Sequence, residues 1–230
     1  LTGKNPLNRV GRIRSVVVRD MRSNNPAANT VAIDSHALGT LNYIRASIEA
    51  ASAIAVPGTA GIAMGVVGAL AAGLATIPAL APYWIAIWLL AAAVAAALGG
   101  VLIARHPLTG GLTLYRGPAR RFGLSLCPAL LAGAILTGVL WEAGESRLLP
   151  GSWLLLYGCA VLSAAMMTSA AIIRLIGALG GLFVVLGVVA FALPPGWHNI
   201  VLGVGFGALH LIFGALIRRV DQGHSSERPA

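Results

Sequence analysis

The sequence predicts an all-α integral membrane protein, a six-helix bundle built from three helical hairpins and preceded by an interfacial amphipathic helix. Three observations lead there. Of 230 residues, 57% are hydrophobic and 10% charged, whereas a soluble domain carries roughly 25% charged residues. Asp, Glu, Lys and Arg are absent from four long stretches, 50–104, 122–141, 148–173 and 175–217. Within and between these stretches, proline recurs where a reversing turn is needed.

The arithmetic of the stretches sets the number of spans. A hydrocarbon core about 30 Å thick takes about 20 helical residues to cross. The stretches are 55, 20, 26 and 43 residues long, so the first and last hold two spans each and the others one. Pro78 and Pro82 divide the first, and Pro194-Pro195-Gly196 divides the last, because proline removes a backbone donor and stops a helix. Spans are therefore expected near 58–77, 83–103, 122–141, 152–172, 175–193 and 198–217. A membrane barrel would alternate apolar and polar residues; these stretches are apolar on every face.

Charge gives the orientation. Sixteen Lys and Arg against seven Asp and Glu leave +9, which in a soluble protein points to nucleic acid. Here fifteen of the sixteen basic residues fall on one side of the six-span arrangement, with only Arg147 on the other, beside Glu142 and Glu145. By the positive-inside rule both termini are cytoplasmic, and the partners implied are the bilayer and its anionic lipid head groups, not nucleic acid. Arg105, Arg116, Arg120 and Arg121 of the loop between spans two and three are candidate lipid or partner contacts. A repeat supports the hairpins: Trp84, Trp153 and Trp197 open spans two, four and six, and Arg105, Arg174 and Arg218 close them, each 21 positions later. At 1.5 Å per residue that is about 31 Å, the thickness of the core.

The flanking segments follow. Residues 1–33 are basic, polar and without apolar period, as in a disordered segment, and 1–20 read as an upstream extension. Over 34–55 an amphipathic interfacial helix is expected, with Asp34 or Ser35 as N-cap and Leu38, Leu41, Ile44 and Ile48 on one face. The six-span domain takes 56–219, and 220–230 form a cytoplasmic tail.

The segment Leu41-Asn42-Tyr43-Ile44-Arg45 with Ala55-Val56-Pro57-Gly58-Thr59-Ala60-Gly61-Ile62-Ala63-Met64-Gly65 resembles an uncharacterised family of small bacterial six-span inner-membrane proteins. The last hairpin, with Leu186-Gly187, Pro194 and the glycines from Gly207 to Gly214, is similar to the three-hairpin acid-resistance membrane proteins. Both resemblances imply the same fold and a bacterial inner membrane. Neither supplies a catalytic residue to carry over.

The chemistry in the sequence is sparse. Small residues recur at four-residue steps, in Gly61, Gly65, Ala69 and Gly73; Ala129, Gly133 and Thr137; Gly177 and Gly181; and Gly203 and Gly207. Such lines let helix backbones approach, within one subunit or across a homodimer face. His210 is the one ionisable group well inside a span, 13 residues after Trp197 and 8 before Arg218, and is the candidate functional polar residue. Six spans with a late histidine are also similar to rhomboid proteases, but Ser163 stands between Leu162 and Ala164, and no Gly-x-Ser occurs in the fourth span. His36, His106, His198, His210 and His224 show no paired metal-ligand spacing, and Cys127 and Cys159 read as small core residues too far apart in depth for a disulfide. No cofactor, metal or catalytic motif is found. The expected function is that of a non-enzymatic accessory, sensory or stress-related component with itself or a regulatory membrane protein as partner; the alternative is a small-solute or proton-linked transporter with His210 at its polar centre.

Overall fold

The computed structural model describes residues 40–41, 56–105, 118–169 and 172–226. Contacts divide the chain into Leu1–Ala51 and Ser52–Ala230. Of the first unit only Thr40 and Leu41 are described, both helical, so the expected disordered segment and the body of the interfacial helix lie outside the described residues. Among the described residues the second unit holds six helices long and apolar enough to cross a membrane. The chain is a multi-pass membrane helical bundle.

The helices are α1 (Gly58–Ala75), α2 (Trp84–Ala104), α3 (Pro118–Glu142), α4 (Leu149–Ala165), α5 (Ile173–Ala192) and α6. The last runs as His198–Leu202, widens into a π-helix over Gly203–Leu209 and resumes as His210–Ser226. Proline marks the turns as the sequence requires. Pro78 and Pro82 lie in a 3-10 turn, Pro78–Tyr83, between α1 and α2; Pro150 sits in the first turn of α4; Pro195 opens the 3-10 turn Pro195–Trp197 before α6. The positions of Pro78, Pro150 and Pro195 suit proline because the first amides of a helix have no intrahelical acceptor. Between α3 and α4 the chain reverses at Gly144, whose φ of 72° is left-handed. There Glu145 N–H donates to Leu140 O at 2.8 Å and Gly144 N–H to Trp141 O at 3.0 Å, the paired bonds of a Schellman C-cap.

Two boundaries depart from the sequence reading. α4 stops at Ala165, well short of 172, because Met167 and Thr168 turn back on it: Thr168 N–H donates to Ala165 O at 3.1 Å and Thr168 Oγ1 to the same oxygen at 2.7 Å. Arg174 therefore lies in the first turn of α5 and does not close α4. α6 also continues to Ser226, so the first residues of the expected tail are helical.

The tightest packing joins helices from different expected hairpins. α1 lies antiparallel on α6: a Cβ added to Gly214 would stand 2.6 Å from Ile62 N and 2.8 Å from Gly58 O, and one on Gly65 would stand 2.7 Å from Leu211 N. α4 lies antiparallel on α5 in the same manner, with Gly158 against Val184 N at 2.7 Å and Gly187 against Leu155 N at 2.6 Å. Only glycine permits backbones this near, and in lipid close packing is what drives helices together. Gly61, Gly65 and Gly207 serve such contacts and Gly203 faces the Ala72 side chain, whereas Gly73, Gly177 and Gly181 face open space. On α5 the interface is made by Gly180 and Gly187, one helical face round from the expected pair. Leu154, Phe183 and Leu202 fill the centre and are fully buried. α2 packs beside α1 and α3 beside α4, but α2 and α3 do not pack together. Leu90 and Val94 of α2 and Leu131 and Ile135 of α3 are exposed, facing where lipid would be.

Candidate functional site

Because α2 and α3 stay apart, a cavity of about 500 Å³ remains between them. Its floor is formed by α1, α4, α5 and α6, and His210 lies on that floor, 4% exposed. The side chain is held by Tyr157 of α4, whose hydroxyl is 2.7 Å from His210 Nε2. His210 Nδ1 lies 3.4 Å from Gly205 O, five residues back, the reach of a π turn. The arrangement fits a neutral ring with Nδ1–H donating to the carbonyl and Nε2 accepting the tyrosine O–H.

The π-helical stretch before His210 is rich in glycine for a packing reason. A Cβ on Gly205 would come within 3.2 Å of Phe183 Cε1, and one on Gly207 within 3.1 Å of Ala69 N. The wider turn thus fits between α1 on one side and the aromatic core on the other. Phe183 and Phe206 complete the surroundings: the Tyr157 ring centroid is 4.8 Å from that of Phe183 and 5.2 Å from that of Phe206, and His210 is 5.2 Å from Phe183. Among the described residues the cavity lining contains no Asp, Glu, Lys or Arg.

Side chains tie the helices together at the tryptophan end of the bundle. Trp84 and Trp153 stack with centroids 5.6 Å apart and planes 9° from parallel. Trp84 Nε1–H donates to Asn199 Oδ1 at 2.6 Å, Asn199 Nδ2–H to Ala75 O at 2.9 Å, and Trp153 Nε1–H to Thr137 Oγ1 at 2.8 Å. This network links α1, α2, α3, α4 and α6 through four side chains. One turn further in, Trp88 is 4% exposed, lines the cavity and tilts against Phe206, and its Nε1 has no hydrogen-bond partner among the described residues.

Of the residues singled out in the sequence, His210 is placed at the centre of this site. Arg105 at the end of α2 and Arg120 and Arg121 in the first turns of α3 are exposed at the opposite end, and Arg116 lies outside the described residues. Ser163 is on the outer face of α4, exposed, its hydroxyl donating to Cys159 O at 3.0 Å, so it is not placed with His210. Cys127 and Cys159 are exposed on the outside of the bundle and are not core residues. Sequence reading missed Tyr157, Trp88 and Asn199. The signal for two of them was available: Trp88 and Tyr157 each follow an interfacial tryptophan by four residues, so they share its face one turn deeper. Comparison of the chain with family models, with curated proteins and with solved structures found no match in any of the three.

Proposed function

We propose that the protein is a non-enzymatic accessory or sensory component of the bacterial inner membrane, with both termini cytoplasmic and with the Tyr157–His210 pair as its responsive element. The observation that carries this reading is the burial of His210 at the base of the cavity with a single side-chain hydrogen-bond partner, on the helix that also binds α1. Among the described residues, those around it do not pair a nucleophile with an oxyanion site. The groups facing the imidazole are Tyr157 from α4, Phe183 from α5 and Phe206 from α6 itself, while α1 presents glycine and alanine to α6. A protonated ring would lack the Tyr157 O–H···Nε2 bond and find no carboxylate in the cavity lining, so the packing around it must change if the ring is charged. Arg105, Arg120 and Arg121 would meet anionic head groups at the cytoplasmic surface.

The alternative, a small-solute or proton-linked transporter, draws support from the π-helical interruption of α6 next to His210, since interrupted spans accompany transport sites. The apolar lining of the cavity speaks against a polar path. Amide hydrogen exchange of the protein in lipid vesicles, compared at about pH 5 and about pH 8 where histidine changes charge, tests the choice. Exchange in α2 and α3 that depends on pH, with the dependence lost in His210→Gln, is the expected result. Equal exchange at both pH values would overturn the sensory reading, and a proton or solute flux abolished by His210→Gln would replace it with transport.

A further inference from the structure

We infer that the arginines at one end of the cavity and the cavity itself form a single site for a bilayer phospholipid with a net negative head group. Its phosphate meets Arg105, Arg120 and Arg121, and one of its acyl chains lies between α2 and α3. The site extends the head-group role of these arginines and rests on it, and it makes no use of the Tyr157–His210 pair.

Position joins the charge to the cavity. Arg105 caps the C-terminus of α2, two residues past Ile103, and Arg120 and Arg121 directly precede Phe122 in the first turn of α3; Ile103 and Phe122 both line the cavity. Arg174 of α5 likewise stands two residues before Ile176, which lines it too. All four arginines are exposed, and none makes an ion pair among the described residues. Glu142 and Glu145 stand at the other end, and Asp221 follows Arg218 by three residues on α6. Arg120, Arg121 and Arg174 occupy first turns, where the helix macrodipole disfavours a cation, so an anion brought by a partner relieves a charge that the helices do not.

The occupant must therefore match charge at one end and hydrocarbon along the rest. A guanidinium pairs with phosphate oxygens through two parallel N–H···O bonds, and guanidiniums on two helices can hold two oxygens of one phosphodiester. A choline head group would bring another cation to a face that is already cationic, whereas a glycerol head group leaves the phosphate charge unopposed. From Ile103 inward to Trp88 the lining of α2 runs about 22 Å at about 1.5 Å per residue. That is longer than half of a core about 30 Å thick, so an acyl chain whose phosphate is at the arginine end fits along it. The volume of about 500 Å³ lies inside the range of about 300–1,000 Å³ typical of small-molecule sites. Ala92, Ala96, Leu130 and Ala134 line the cavity and are exposed, so a lipid enters sideways from the bilayer. A second copy of this chain is the poorer occupant, because two copies in one membrane orientation would set their arginines against each other, like charge facing like.

Photolabelling in vesicles tests the site. The full chain is placed in phosphatidylcholine vesicles doped with either phosphatidylglycerol or phosphatidylcholine that carries a diazirine midway along one acyl chain, then illuminated, digested and mapped by mass spectrometry. Adducts at Met64, Ala96 and Ala129 report the cavity, which these residues line, and adducts at the exposed Val94 and Leu131 report lipid outside it. The ratio of cavity to outside adducts is expected to be higher for the phosphatidylglycerol probe. It should fall about fivefold for each guanidinium removed in Arg105→Gln and Arg121→Gln, the worth of one basic side chain near an anionic surface. Ala95→Phe fills the cavity with the arginines in place and should bring the phosphatidylglycerol ratio down to that of phosphatidylcholine. Equal ratios for the two probes, a ratio indifferent to both arginine substitutions, or cavity adducts unchanged in Ala95→Phe would overturn the proposal. An equal fall of cavity and outside adducts in the arginine variants would also overturn it, and would leave the head-group contact standing without the site. All labelling is done at one pH, so this site and the sensory reading fail separately.

Discussion

The α1–α6 and α4–α5 interfaces are built backbone against backbone, whereas α2 and α3 face each other across a cavity. Both regions are equally apolar, so hydrophobicity does not separate them. In lipid an apolar side chain gains little by leaving one hydrocarbon environment for another, and contact depends on how closely two backbones can come. α1 brings Gly58, Gly61, Gly65 and Gly68 to α6, which answers with Gly207 and Gly214. α2 brings Gly99, whose position is filled by Met64 of α1 with Sδ 2.9 Å from where a Cβ would stand, while Gly100 faces open space. Glycine in register on both partners makes a seam; glycine on one side only makes a neighbour.

The largest effect expected from this contrast lies at the seams. Gly214→Leu and Gly158→Leu place side chains where neighbouring backbone lies, with Gly58 O and Gly180 O each 2.8 Å from the new Cβ. Backbone cannot be moved aside as a flexible side chain can. Each substitution should exceed about 4 kcal/mol, the upper tail of single-residue effects, and leave no folded monomer by size-exclusion chromatography in detergent. Gly73→Leu and Gly177→Leu, with nothing within 4 Å of the Cβ, should stay within about 0.5 kcal/mol of the parent. A parent-like melting temperature for Gly214→Leu, or collapse of Gly177→Leu, would break the comparison.

The same residues show how far the sequence could be read. Charge-free stretches and prolines were enough for the six spans, since length and breakers act locally. Whether a glycine faces a neighbour is decided by helix rotation, and a span apolar all round carries no amphipathic signal to fix that rotation. That is why Gly61, Gly65, Gly203 and Gly207 meet a neighbour within the chain while Gly73, Gly177 and Gly181 of the same lines do not, and on α5 Gly180 and Gly187 make the contact instead. Arg174 was misread for a related cause. Its spacing from Trp153 matches the other two Trp–Arg separations, but the α4 end is set by the Thr168 turn, which hydropathy does not report. His210 was legible because a histidine in an apolar span is conspicuous. Its partner Tyr157 was not, since the pair is 53 positions apart and nothing in one sequence joins them.

A second effect, smaller and confined to one region, concerns what holds α2 to the rest. Asn199 bridges Trp84 and Ala75 O, tying the start of α2 to the end of α1 through α6. Asn199→Ala removes both bonds and should cost about 1–2 kcal/mol, the lower part of the range for unsatisfied buried groups, because the Trp84 indole can turn to interfacial water. Hydrogen exchange sharpens the comparison: amides in α2 should exchange faster, and those in α1 and α6 should not change. Uniform acceleration across all six helices would mean that α2 is part of one cooperative unit with the seams.

The smallest effect is expected at the turn between α3 and α4, where charge and backbone geometry can be compared directly. Arg147 Nε–H donates to Glu145 Oε2 at 2.9 Å, an exposed pair of the kind worth about 0–1 kcal/mol. Yet the turn itself is made by main-chain bonds from Glu145 N–H and Gly144 N–H, which no side-chain substitution at 145 removes. Glu145→Ala should therefore change stability by less than about 0.5 kcal/mol, and by less still as salt is raised. Gly144→Ala should cost about 1 kcal/mol, because φ of 72° is a left-handed conformation that a Cβ disfavours. If Glu145→Ala were the more damaging, measured by thermal unfolding in the same detergent, the ion pair and not the Schellman turn would be what sets the α3–α4 connection. α3 would then be held at its tryptophan end by an exposed charge pair as well as by the Trp153–Thr137 bond, and the freedom assigned to α3 would shrink at low ionic strength.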